Sequence, residues 1–135
     1  MKLHVYPRYI CVFDINGTLD CGANPKCKFT LPTKKIFDYL KKRPDVWVGT
    51  WSGMYTWMQL QNITDIGVVP DFVMMKDEWE SFKVSLEHIY KRPFDCEVIC
   101  IGDEEEDQFF AEKYNMKFIS PVEFYIQNQN EIENG

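Results

Sequence analysis

The chain has 135 residues and a formal net charge of −6, and 45% of its residues are hydrophobic while 27% are charged. This composition is typical of one soluble globular domain and excludes a largely disordered chain. The acidic balance argues against non-specific nucleic-acid binding, which needs a basic face, and no apolar run is long enough to span a membrane.

Short apolar runs alternate with helical patterns along the chain. The apolar runs predict five buried strands, at residues 9–13, 46–50, 72–75, 98–101 and 117–119. The helical patterns predict helices at residues 33–42, 53–62, 81–91 and 104–114, and a short last helix at 121–127. Strands that are apolar throughout and are separated by helices indicate a parallel sheet covered on both faces. The predicted fold is α/β: a three-layer, Rossmann-like sandwich around a mostly parallel five-stranded sheet.

The domain limits follow from the same patterns. We expect a single domain at residues 1–126 and a polar tail at residues 127–135 that frays. Residues 19–31 contain Gly22, Asn24 and Pro25, are followed by Pro32 and have no helical period, which predicts a loop or small hairpin above the sheet after the first strand. This insertion is the one segment long enough to form a lid, so no separate cap domain is expected.

The cysteine and histidine content bears on metal binding and on the cellular compartment. The chain has five cysteines, an odd number, and its two histidines, His4 and His88, are far apart in sequence. A zinc site needs clustered ligands, which this spacing does not supply. Free thiols in a reducing, cytoplasmic environment are therefore expected.

Polar side chains follow several of the predicted strands at the point where each strand ends. Asp14 follows the first strand, Thr50 ends the second, and Asp103 and Asp107 follow the fourth. Ligands of parallel sheets bind outside the carboxyl ends of the strands. Carboxylates from neighbouring strand ends, completed by a substrate phosphate, form the oxygen environment that Mg²⁺ prefers. Trp51, beside this edge, either stacks on a substrate or belongs to the core.

At these positions the sequence resembles the haloacid dehalogenase superfamily. Residues 13–19, Phe-Asp-Ile-Asn-Gly-Thr-Leu, are similar to its first motif, Asp-x-Asp-Gly-Thr. Thr50 resembles its second motif and Lys83 its third, while residues 102–107 resemble its fourth, Gly-Asp-x-x-x-Asp. The four motifs occur in the family's order and cover residues 9 to about 120.

The resemblance implies a nucleophile and a metal site. Asp14 would take up a phosphoryl group as an aspartyl-phosphate, which divides one difficult displacement into two steps. Asp14, Asp103 and the backbone carbonyl of Asn16 would hold Mg²⁺, with Asp107 as a direct or outer ligand. The implied activity is that of a Mg²⁺-dependent phosphatase-type hydrolase or phosphotransferase acting on a phosphorylated substrate of unknown size.

The resemblance also implies a hydroxyl and a lysine that contact the phosphoryl group. Thr50 would donate a hydrogen bond to a phosphoryl oxygen, and Ser52 is the alternative hydroxyl. Lys83 would neutralise charge at the phosphorylated aspartate, and Lys76, directly after the third strand, is its rival. We prefer Lys83 because a lysine at the start of a helix points back toward the strand ends.

Asn16 departs from the family pattern, which has a second aspartate at this position. That aspartate protonates the leaving group and then activates water, and an amide does neither. General acid–base catalysis contributes typically about 10²–10⁴-fold, so slow turnover is expected. The alternative is a catalytically quiet domain that binds a phosphorylated ligand or a protein partner. A receiver-type signalling domain is disfavoured, because the strands that end at Thr50 and Met75 supply no terminal acid.

Overall fold

The chain folds around one five-stranded sheet in which all neighbouring strands are parallel. A computed structural model describes residues 5–15, 33–102 and 105–134. The strands are β1 (Tyr9–Asp14), β2 (Val46–Ser52), β3 (Phe72–Met75), β4 (Glu97–Ile101) and β5 (Lys117–Ile119). Their order across the sheet is β3-β2-β1-β4-β5, which makes β1 the central strand. The prediction of a parallel α/β sheet is confirmed.

In the described part of the chain, five helices connect and cover the strands. They are α1 (Thr33–Lys41), α2 (Thr56–Ile66), α3 (Trp79–Tyr90), α4 (Glu105–Lys113) and α5 (Pro121–Asn134), and a single 3₁₀ turn at Lys76–Glu78 precedes α3. The prediction that α2 begins at residue 53 is wrong. Ser52 still belongs to β2, where it pairs with Met75 of β3, and Tyr55 is the N-cap of α2.

Alternate residues of each strand enter two different cores, because successive side chains of a strand point to opposite faces. Cys11 and Phe13 of β1 pack with α1 and α5 on one face of the sheet. Ile10 and Val12 pack on the other face with Trp79 of α3 and Ala111 of α4. The result is the predicted three-layer, Rossmann-like sandwich.

The last helix extends further than the sequence suggested. A frayed tail was predicted from residue 127, but α5 continues to Asn134 and that prediction is wrong. Ile132 is only 6% exposed and belongs to the same core cluster as Phe13 and Phe124. Ile132 follows Phe124 by eight residues, a spacing that returns to the same helix face. Ile132 therefore anchors the last two turns to the core, and hydrogen bonds from Lys35 to Glu133 and from Tyr39 to Glu131 tie the same turns to α1.

Two further expectations concern the segment after β1 and the possibility of a membrane-spanning helix. The loop or hairpin predicted at residues 19–31 lies outside the described residues. Within the described ranges, no helix is long and apolar enough to cross a membrane.

Candidate active site

Asp14 ends the central strand and lies at the edge of the sheet where ligands of parallel sheets bind. It continues the alternation of Ile10 and Val12, which directs its side chain toward the layer formed by α3 and α4. The Asp14 side chain is only 7% exposed. A carboxylate this deeply buried needs a charged or hydrogen-bonding partner.

Lys76 supplies that partner from the first position after β3. Its Nζ lies 3.5 Å from Asp14 Oδ1, 2.7 Å from Asp107 Oδ1 and 3.7 Å from Glu106 Oε1. The side chain of Lys76 is 7% exposed. Burial by itself lowers the pKa of Lys76, but the charges of Asp14, Asp107 and Glu106 and the hydrogen bond to Asp107 outweigh it, so the pKa is raised. The ammonium is therefore charged at neutral pH.

Asp107 reaches the cluster from the first turn of α4 and has a side chain that is 1% exposed. The helix starts just after β4, which places its amino-terminal turn at the same edge as Asp14. Taking paired charges out of water costs about as much as their attraction returns, so such a cluster is weak evidence for stability. A buried lysine whose pKa is raised by neighbouring carboxylates at a ligand edge is instead a common property of functional sites.

The two candidate hydroxyls occupy different depths of β2. Thr50 is fully buried and pairs with Phe13, one position below Asp14. Ser52 is the last residue of β2, and its Oγ accepts a hydrogen bond from the Met54 N–H at 3.2 Å. A phosphoryl group above the strand ends would meet Ser52 before Thr50.

The side chain of Trp51 lies in the core and is not exposed at the edge of the site. It is fully buried, and its ring contacts those of Trp79, Phe110 and Tyr114 at centroid distances of 6.5, 6.2 and 6.4 Å. Of the two roles considered for this residue, the structure shows the core one.

The structure brings Lys76, and not Lys83, to the carboxylates. The helix that carries Lys83 begins at Trp79 instead of residue 81, so Lys83 lies in its second turn. Its Nζ is 3.3 Å from Glu80 Oε2 and 5.8 Å from the ring centroid of Phe94, which precedes β4. The preference for Lys83 is therefore corrected: its side chain faces its own helix and the segment leading into β4.

Only part of the predicted magnesium site can be described. Asn16 and Asp103 lie outside the described residues. Within the described ranges, no group of three or more His, Cys, Asp or Glu side chains is arranged to hold a metal ion. Asp14 and Asp107 nevertheless contact one ammonium and are carboxylate donors of the type that Mg²⁺ takes, so the described half of the predicted site fits this ion.

One buried polar residue near this edge was not anticipated. Gln59 of α2 is fully buried and donates hydrogen bonds to two backbone carbonyls. Its spacing of four residues from the buried Ile63 was the available signal, because this spacing places both on one helix face.

The arrangement has the parts needed to bind and transfer a phosphoryl group. Asp14 offers a carboxylate, Lys76 offers a fixed positive charge, and Ser52, which is 4% exposed, offers a hydroxyl at the last position of β2. Comparisons of the chain with protein-family models, with curated proteins and with solved structures found no match.

Proposed function

We propose that this chain is a Mg²⁺-dependent phosphohydrolase or phosphotransferase that works through an aspartyl-phosphate on Asp14. One observation carries the proposal: the buried ammonium of Lys76 is held between Asp14 and Asp107 at the carboxyl end of the central strand. The motif resemblance of residues 13–19 and 102–107 supports the same reaction.

The reaction uses the side chains of this cluster in two steps. A carboxylate oxygen of Asp14 attacks phosphorus, and the bond from phosphorus to the leaving-group oxygen breaks with its electron pair on that oxygen. Water, or an acceptor hydroxyl in a phosphotransferase, then attacks the same phosphorus and gives its proton to solvent, while the bond from phosphorus to the Asp14 oxygen breaks and its electron pair returns to the carboxylate. Lys76 offsets the charge of the phosphoryl oxygens in both steps, and Asp107 holds its ammonium in place.

The metal site would share these carboxylates. Asp14 and Asp107 would hold Mg²⁺ together with Asp103 and the Asn16 carbonyl. When bound, the ion supplies charge neutralisation and orientation of the phosphate. The hydroxyl of Ser52 would donate a hydrogen bond to a phosphoryl oxygen, because it lies nearer the edge than Thr50.

The leaving group decides which substrates turn over. Asn16 has no proton to give, so the leaving-group oxygen must accept the electron pair unaided. Acyl phosphates, phosphoanhydrides and aryl phosphates meet this condition better than alkyl phosphates. The same residue supports the second candidate function, a catalytically quiet domain that binds a phosphorylated ligand or a protein partner.

The test is phosphate release from acetyl phosphate and from p-nitrophenyl phosphate, with and without Mg²⁺. We expect metal-dependent turnover by the natural chain and none by Asp14→Asn, which keeps the side-chain shape and removes the nucleophilic charge. Circular dichroism shows whether both proteins are folded, and Mg²⁺ titration shows how far the loss of the Asp14 carboxylate also weakens metal binding. Equal turnover by the two proteins would refute the proposed nucleophile, and no turnover by either would favour the binding domain.

A further inference from the structure

Helix α2 has an unusual distribution of side chains. It buries Gln59 and Ile63, whereas Trp57 and Leu60 on the same helix are exposed. A buried amide is unfavourable unless hydrogen bonds replace those it made with water. The hydrogen bonds of the Gln59 amide therefore show what this residue does inside the fold.

The amide of Gln59 joins two segments that carry candidate site residues. Its Nε2 donates one hydrogen bond to the Met54 carbonyl and another to the Met74 carbonyl, both at 2.9 Å. Met54 follows Ser52 in the β2–α2 connection, and its backbone N–H donates to the Ser52 hydroxyl oxygen. Met74 lies two residues before Lys76. One side chain thus ties the backbone next to the hydroxyl to the backbone next to the ammonium.

This link lies where the sheet itself stops holding the two segments. The pairing of β2 with β3 ends at Ser52 and Met75. Beyond that point, the Met75 N–H donates to Glu78 Oε1 at 2.7 Å, so the backbone just before Lys76 is fixed from both sides. Because the ammonium of Lys76 lies at the end of a long side chain, a shift of this backbone moves Nζ relative to Asp14.

We propose that Gln59 is a positioning residue that sets the place of the Lys76 ammonium relative to Asp14 and to the Ser52 hydroxyl. Its effect on catalysis rests on the proposed function, whereas its effect on Lys76 does not. Gln59 Oε1 is buried and has no hydrogen-bond partner in the part of the chain that the structure describes. An unpartnered buried acceptor is destabilising, because it has lost its hydrogen bonds to water. The amide therefore adds little net stability, and its distinctive contribution is the link between the two segments.

The test compares Gln59→Met with Gln61→Met, which makes the same change at an exposed position of the same helix. Lysine accessibility is measured by reductive methylation and peptide mass spectrometry. We expect methylation of Lys76 to rise about tenfold in Gln59→Met, because an amine displaced from Asp14 and Asp107 is more accessible to the reagent. Lys41, paired with Asp71 at 2.7 Å, serves as the internal reference and should be unchanged in both variants.

The catalytic measurement separates positioning from general damage. In Gln59→Met, kcat should fall about 10- to 100-fold while KM changes less than about threefold, and Gln61→Met should match the natural chain. Gln59→Asn keeps an amide that is one methylene shorter, and should show a smaller rise in Lys76 methylation than Gln59→Met.

Each remaining outcome decides the question. Unchanged Lys76 methylation in a folded Gln59→Met protein would overturn the proposal, as would an equal rise at Lys76 and Lys41. Loss of folding in both Gln59 variants would also overturn it, because Gln59 would then be needed for the fold as a whole. If the natural chain has no phosphatase activity, the proposed function fails while the methylation result still decides the role of Gln59.

Discussion

The side chain of Asp107 packs so closely against Gly102 that position 102 has no room for a larger residue. A Cβ atom on Gly102 would lie 2.5 Å from Asp107 Oδ2 and 2.7 Å from both Cβ and Cγ of Asp107. The backbone of Gly102 is itself held, because its N–H donates to the Ile119 carbonyl at 3.3 Å. The glycine after β4 is therefore what allows Asp107 to reach Lys76.

Gly102→Ala should displace Asp107 and impair the site more than the fold. Contacts under 3.0 Å with Cβ and Cγ require Asp107 to move, which removes its 2.7 Å hydrogen bond with Lys76. We expect kcat to fall about 100-fold and stability to fall by about 1–3 kcal/mol, as is typical of overpacking. Phosphate release measures kcat, and urea unfolding measures stability. Gly53→Ala is the control, since no atom of the described residues lies within 4 Å of where its Cβ would be; an equal loss in both variants would contradict the argument.

Lys76→Met and Lys83→Met form a matched pair that tests which lysine serves the site. Lys76→Met leaves Asp14 and Asp107 without their shared cation, so kcat should fall about 10²–10³-fold, and stability should fall by about 3–5 kcal/mol. Lys83 joins the exposed Glu80 and lies over the Phe94 ring, away from Asp14 and Asp107, so its loss should change stability by less than about 1 kcal/mol and kcat by less than about twofold. A larger loss of kcat in Lys83→Met would restore the original preference.

Asn16→Asp tests whether the missing acid limits turnover. A carboxyl group at this position would be able to protonate an alkoxide leaving group, and such help contributes about 10²–10⁴-fold. We therefore expect a faster rate with alkyl phosphates and little change with acetyl phosphate, whose leaving group needs no proton. Initial rates with the two substrates give the ratio. An unchanged or lower rate with alkyl phosphates would show that Asn16 does not limit the reaction.

The sequence predicted the sheet more reliably than the site, for a physical reason. Strands such as β3 and β5 are apolar runs whose limits depend on their own residues, and both were predicted with the observed bounds. The choice between Lys76 and Lys83 depended on where α3 begins, and the 3₁₀ turn that precedes it gives no periodic signal. The burial of Gln59 depended on carbonyls at Met54 and Met74, which only the folded chain brings together.

Ile132→Ala and Ile126→Ala test whether the end of α5 belongs to the core. Ile132 is 6% exposed and Ile126 is 63% exposed, although both lie on the same helix. Truncation of a buried isoleucine costs about 2–5 kcal/mol, whereas an exposed change stays within about 0.5 kcal/mol. Urea unfolding should therefore separate the two variants by about 2 kcal/mol or more. Equal stabilities would mean that the tail frays as the sequence suggested.

The buried thiol of Cys100 makes the stability of the folded chain fall as the pH becomes alkaline. Burial, together with the negative charges of Asp107 and Asp14, raises the pKa of the Cys100 thiol well above its usual value. The folded chain therefore keeps this proton, while the unfolded chain releases it above about pH 8.5. Unfolding thus becomes easier as pH rises beyond that value, by up to about 1.4 kcal/mol per pH unit for this thiol.

Cys100→Ala should remove this part of the pH dependence. The alanine leaves a small cavity that lowers stability at every pH, so the slope is compared and not the level. Urea unfolding under reducing conditions between pH 7.5 and 9.5 should give a shallower decline for the variant. Burial also raises the pKa of the Cys96 thiol, so the stability of both proteins should retain some decline with rising pH. Parallel declines would show that Cys100 ionises as readily in the folded chain as in the unfolded one.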